Sequence, residues 1–168
     1  MSLSMYQASV PAFLRMLTSL GAILDKAEAF AAGRKIDPEV LLGWRLAPDM
    51  LPFVRQVQIA ADFAKGTTAR LAGAEVPKYD DNENTFAELK ARIAKTVKFV
   101  EGFKPGAIDG SEERDITLTV GGQDMRFKGE DYLVQFALPN FYFHATTAYD
   151  ILRGCGVELG KRDFLGMV

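Results

Sequence analysis

Cysteine and histidine are nearly missing from this chain of 168 residues. Cys155 is the sole cysteine, so an intramolecular disulfide is excluded. His144 is the sole histidine, so any imidazole-based metal site or catalytic triad has one ring to draw on. An excess of charge of either sign is also lacking: 20 basic residues stand against 22 acidic ones, a formal net charge of -2. That balance argues against a nucleic-acid partner and against an acidic solvating tail. No stretch reads as apolar enough to span a bilayer, and no basic segment precedes the first apolar stretch as in a secretory signal. The expectation is a cytoplasmic protein with no membrane partner. What is present is ordinary for a globular protein, 48% hydrophobic and 25% charged residues. The length suits one domain over residues 1–168 with a sizeable core.

Apolar periodicity then organises the chain. Tyr6, Val10, Phe13, Leu17, Leu20, Leu24, Ala27 and Ala31 alternate at spacings of four and three, which predicts a long first helix. Ser4 reads as its N-cap and Gly33 as its C-cap. Asp37-Pro38-Glu39 predicts a short helix through Leu42. A second long helix is expected from Met50 to about Ala72, with Met50, Phe53, Val57, Ala60 or Ala61, Ala64, Thr68 and Leu71 inward. A third runs from about Asn84 to Phe103, with Phe86, Leu89, Ile93, Val97 and Val100 inward. The segment GFKPGAIDGSEE breaks all periodicity. Ile116, Leu118 and Val120 then alternate with polar residues, Gly121-Gly122 supply a tight turn, and Met125 and Phe127 alternate again, predicting a hairpin at about 115–128. A fourth helix is drawn from Glu130 to Arg153, interrupted at Pro139, which removes the bond to the Gln135 carbonyl. Phe164 and Leu165 in the tail are expected to pack on apolar surface. The expected fold is all-α, a four-helix bundle with a small β-hairpin between the third and fourth long helices.

Candidate functional residues are few. Asn140 and His144 are four apart on the fourth helix and share a face, the spacing by which one helix presents two ligands to a metal. An asparagine amide is a poor donor for zinc or nickel, however. On spacing alone His144 reads as a partly buried histidine hydrogen-bonded to Asn140 or to the second helix. Gln56, Gln58 and Asp62 lie among apolar residues of the second helix and read as a polar stripe, with the amides able to reach across the bundle. The acidic run Asp80, Asp81, Glu83 lacks the glycine and distal glutamate of a calcium loop and reads as a helix start. Cys155 lies about three turns beyond His144 on the same helix, too far to be activated by it. Trp44, Tyr132, Tyr142 and Tyr149 read either as pocket lining or as core and interface.

The segment NFYFHATTAYDILRGCGV resembles the last helix of the DinB-like (YfiT-like) superfamily of four-helix-bundle metalloenzymes, at Asn140, His144, Leu152, Arg153, Gly156 and Val157. RQVQIAADFAKGTTARLAG resembles that superfamily's second helix, and MSLSMYQASVP and GWRLAPDM resemble an uncharacterised branch of it, a domain of unknown function. The resemblance implies a three-ligand metal site supporting thiol-transferase or isomerase chemistry. Carried onto this chain, its three ligand positions fall on Gln58 or Gln56, on Asn140 and on His144, so one imidazole of three is kept. The expectations that follow are a degenerate metal site with no metal and no cofactor, and a remnant pocket at Gln56, Gln58, Asn140 and His144 open to a small-molecule ligand. A homodimer is expected as well. The competing expectation is an enzyme, thiol-transferase-like or acid-base, reusing the pocket with His144. A further alternative is a metal site rebuilt from His144 and carboxylates such as Asp62 or Asp150.

Overall fold

The computed structural model describes residues 3–167. Met1 and Ser2, which head the MSLSMYQASVP segment, lie outside them. Helix α1 spans Met5–Arg34. A capping box opens it: the Ser4 hydroxyl accepts from Gln7 N–H while the Gln7 amide accepts from Ser4 N–H. The expected stop at Gly33 is corrected by two residues. Lys35 takes the left-handed conformation, φ 55°, and Ile36 N–H bonds back to the Ala31 carbonyl. The half-buried Ile36 side chain packs on the core, so an apolar anchor rather than glycine fixes the end. The reading that no run could span a bilayer is also corrected: α1 is long and apolar enough by length and composition. Here its stripe faces the bundle, with Val10, Phe13, Leu17 and Leu24 fully buried.

Asp37 caps the short α2, Pro38–Leu42. Helix α3 spans Phe53–Ala72, beginning three residues later than expected. Pro52 disfavours helical geometry at Leu51 and so becomes the N-cap itself. Helix α4, Phe86–Glu101, starts where Thr85 accepts from Glu88 N–H. A one-turn helix α5, Pro105–Ile108, lies in the segment read as aperiodic. Its single fully buried side chain, Ile108, holds it down, too little pattern to see in sequence.

Strands β1, Asp115–Val120, and β2, Gln123–Lys128, pair antiparallel with Ile116 opposite Phe127. Gly121 and Gly122 have φ of 58° and 81°, the two positive values that a tight hairpin turn requires. One turn of helix, α6 (Gly129–Asp131), leads into a π-helical segment, Tyr132–Ala137, and then into α7, Leu138–Gly154. Pro139 thus does not simply kink a helix. The wider π turn ahead of it accommodates the residue that cannot donate. A last helix, α8, Lys161–Leu165, packs on α1, where Asp163 pairs with Lys26 at 2.5 Å.

The long helices pack in the cyclic order α1–α4–α3–α7. Val10, Leu17, Leu24, Phe53, Val57, Ile93, Val100, Ala148 and Ile151 are all buried in one apolar core, as the stripes require. The hairpin stands between α4 and α7 in chain order and docks through Phe127 on Tyr132 and Phe136. Tyr132 is fully buried, Trp44 is half exposed, Tyr142 is exposed, and Tyr149 packs edge-on against Phe164. Leu165 remains exposed, so only half of the tail's expected packing occurs.

Candidate functional site

Gln56 and His144 meet across the α3–α7 interface. Gln56 lies one turn into α3, three residues beyond Phe53, on the face that looks at α7. His144 lies nearly two turns into α7. The imidazole Nδ1 is 2.7 Å from Gln56 Oε1. The other end of the same amide is fixed by the chain entering α3, where Gln56 Nε2 donates to the Leu51 carbonyl at 2.9 Å. Gln56 is buried, with 1% exposure, and His144 is half-buried. Phe63, two turns along α3 from Gln56, lies nearly parallel to the imidazole with centroids 6.2 Å apart. Phe143 meets it edge-on at 5.2 Å. Burial among these apolar groups lowers the His144 pKa below the ordinary histidine value.

A row of aromatic rings connects this pair to the hairpin. Phe63 contacts Phe136 at 5.8 Å, and Phe136 contacts Phe127 of β2 at 5.2 Å. The π-helical segment supplies Tyr132 and Phe136 to this row, and α7 continues the same face with Asn140 and His144. The hairpin therefore buttresses the helix pair that carries the site.

The structure brings Gln56 and His144 together and sends the other two candidates elsewhere. Gln58 is two residues beyond Gln56, a rotation of about 200° on a helix of 3.6 residues per turn, so the two amides cannot face one partner. Gln58 accepts from Arg55 at 2.7 Å and donates to Glu83 at 2.7 Å, on the side facing α4 and the loop before it. Asn140 shares the face of His144, as its spacing requires, but its Nδ2 donates to the Phe136 carbonyl at 2.7 Å. That bond runs to the carbonyl four residues back on the same helix face, so the amide is engaged with its own backbone and not with His144.

The metal that the DinB resemblance implies does not fit these donors. One imidazole remains, Gln56 Oε1 is committed to Nδ1, and a neutral amide oxygen is a weak ligand for zinc or nickel. Asp62, the carboxylate considered as a replacement, pairs with Arg92 and Lys65. Among the described residues no three His, Cys, Asp or Glu side chains form a group able to hold a metal.

A polar centre missed in the sequence surrounds Arg92 on α4. Its side chain is 1% exposed and bonds to Glu83 at 3.0 Å, Asp62 at 2.9 Å, Asp81 at 3.0 Å and the Asp80 carbonyl at 3.0 Å. Lys65 and Lys95 approach the ring of Tyr79 at 3.8 and 4.1 Å, and Arg92 lies 5.3 Å from it. Burial works to raise the Asp81 pKa, but Arg55 and Arg92 outweigh it and hold the carboxyl below its usual range. The sequence signal was the register of Arg92, three after Leu89 and beside Ile93 on the inward stripe. The centre ties the loop between α3 and α4 to the bundle. Of the surface grooves, one of about 430 Å³ lies at Phe30 and Val157 and another of about 390 Å³ at Tyr142 and Phe164; neither includes Gln56, Gln58, Asn140 or His144.

The family model for a domain of unknown function, DUF1993, matches residues 5–165. A crystal structure of a DinB family member protein from Shewanella denitrificans is similar to this chain over 97% of its length and 92% of the other, with 46% sequence identity and a TM-score of 0.87. No curated protein gives a match.

Proposed function

The chain belongs to the DUF1993 family and has a DinB-like fold, and from that premise we propose that it is a non-catalytic binding protein. It takes a small molecule or a partner where the resemblance places a metal triad. The observation that carries the reading is the 2.7 Å contact of Gln56 with His144. A side-chain amide occupies the place across from the imidazole and satisfies it, where a metal-dependent site needs a second strong donor. The engagement of Asn140 with backbone and of Gln58 with Glu83 supports the same reading. The site is a degenerate metal centre whose scaffold is retained.

The same proposal includes self-association as a homodimer. Val134, Tyr142 and Phe143 are exposed on the π-helical segment and α7, an apolar surface suited to a second copy. Light scattering at micromolar concentration should give about twice the monomer mass of 18.5 kDa. A mass of one chain removes the dimer from the proposal.

A thermal-shift screen of small molecules tests the binding role, run on protein without a histidine tag and on the His144→Ala variant. Compounds that stabilise the first and not the second are expected. Turnover of any of them that disappears in His144→Ala would overturn the non-catalytic reading in favour of an acid-base enzyme using His144.

A further inference from the structure

We infer that Gln56 is a positioning residue that locks His144 in the Nδ1–H tautomer, so that the site presents an unprotonated Nε2 and takes a neutral hydrogen-bond donor, a hydroxyl or an N–H, rather than an anion. The inference deepens the binding role proposed above and rests on it for the existence of a ligand. The lock itself stands on geometry alone.

The lock begins at the backbone. The Leu51 carbonyl can only accept, and it lies 2.9 Å from the Gln56 amide nitrogen. Turning the amide over would set Oε1 against that carbonyl, two acceptors in contact at a residue with 1% exposure. The orientation of Gln56 is therefore fixed by the chain just ahead of α3. Its oxygen then faces His144 Nδ1 at 2.7 Å, and an amide oxygen has no proton to give. Nδ1 must be the donor. A neutral imidazole carries one N–H, so Nε2 holds a lone pair. Free imidazole side chains favour the opposite tautomer, so this arrangement is imposed by the fold.

Nε2 is also available. Among the described residues it has no hydrogen-bond partner, yet it is not one of the sealed, unpartnered atoms, which are Arg92 Nε and Ser111 Oγ. It therefore keeps contact with solvent, on a ring that has Phe63 and Phe143 as aromatic neighbours. The nearby cation on α3, Arg55, is committed to Gln58 and Asp81. An anion would meet a lone pair and phenyl surface there. A hydroxyl or N–H donor meets an acceptor.

The test uses the single histidine as its own probe. Two-bond 15N–1H correlation spectra of tag-free protein, labelled with 15N-histidine, separate the two tautomers at neutral pH. The expected spectrum shows a protonated Nδ1 and a pyridine-like Nε2. Gln56→Met should shift the population toward Nε2–H; where that variant does not fold, the parent spectrum alone decides, because an imidazole free of the lock would show mainly Nε2–H. A wild-type spectrum with Nε2–H, or a methionine variant that folds with an unchanged tautomer, overturns the lock. Phenol and benzoate, alike in size, then separate donor from anion. The Nε2 signal should move on titration with phenol and not with benzoate. No response to phenol, or an equal response to benzoate, overturns the ligand class and leaves the lock standing. A stoichiometric metal bound at Nε2 would instead overturn the binding role, whatever the tautomer.

Discussion

Phe63 lies nearly parallel to the His144 imidazole, with centroids 6.2 Å apart and ring planes 19° from parallel. The phenyl ring cannot solvate an imidazolium as water does, and that burial favours the neutral ring, in line with the lowered pKa. The bond from Nδ1–H to Gln56 Oε1 is open to both protonation states.

The pH dependence of stability follows from that shift. The unfolded chain titrates its histidine near the ordinary value of about 6.5, while the folded chain takes up the proton only at lower pH. Between those two values the unfolded state holds more protons, so unfolding becomes easier as pH falls below about 6.5 and the loss levels off once the folded imidazole is protonated too. Urea unfolding across pH 7 to 5 should show a falling midpoint, and His144→Gln should flatten that slope. An equal slope in both proteins would contradict a buried neutral imidazole.

Removing the imidazole leaves a buried acceptor behind. His144→Ala should destabilise the protein by about 1–3 kcal/mol, the cost of stranding Gln56 Oε1. The double variant His144→Leu with Gln56→Leu should lose less than the sum of the two single changes, because neither partner is left facing the other unmatched, while the loss at the Leu51 carbonyl is common to Gln56→Leu and the double variant. Chemical denaturation of the four proteins measures the coupling, and additive losses would show that the contact carries no energy.

Arg92 should be the more costly position. Its guanidinium is buried, while Asp62 and Asp81 remain 39% and 36% exposed. Arg92→Met therefore removes the charge that holds three carboxylates together, although those carboxylates can regain water. The expected loss falls toward the lower end of the about 3–5 kcal/mol seen when a buried pair is broken. It should come with faster proteolysis in the loop at 76–85. A variant as stable as the parent would mean that the ion pairs merely offset their own desolvation.

Gly129 marks the tightest backbone approach, at the join of β2 and α6. A Cβ there would overlap the Ser111 carbonyl oxygen, which belongs to backbone and cannot swing aside. Gly129→Ala should cost about 1–3 kcal/mol or more, read as a lower midpoint in thermal unfolding. A neutral effect would indicate that the hairpin is free to move off the bundle.

The bundle was legible because its stripes are long. Val10 to Ala31 and Phe53 to Leu71 repeat often enough to fix both helices and their buried faces. The hairpin was legible from Gly121-Gly122 between two alternating runs. The π-helical segment was not, because Pro139 announces a break without saying how the preceding turn relieves it. Nor was α5, which one buried side chain anchors. At the site, periodicity alone could have separated Gln56 from Gln58, since two residues of helix turn a side chain to the opposite face. The bond of Asn140 to the Phe136 carbonyl could not be read, because the spacing that puts Asn140 beside His144 also puts it within reach of its own backbone. The Arg92 centre joins residues from two helices and a loop, and only Arg92's own register hinted at it.

Metal content tests the proposal of a degenerate site most directly. Protein purified without a histidine tag, incubated with zinc or nickel and then desalted, should retain far less than one equivalent by elemental analysis, and His144→Ala should match it. A near-stoichiometric metal in the parent that disappears in His144→Ala would contradict the account and favour a metal-dependent role for His144.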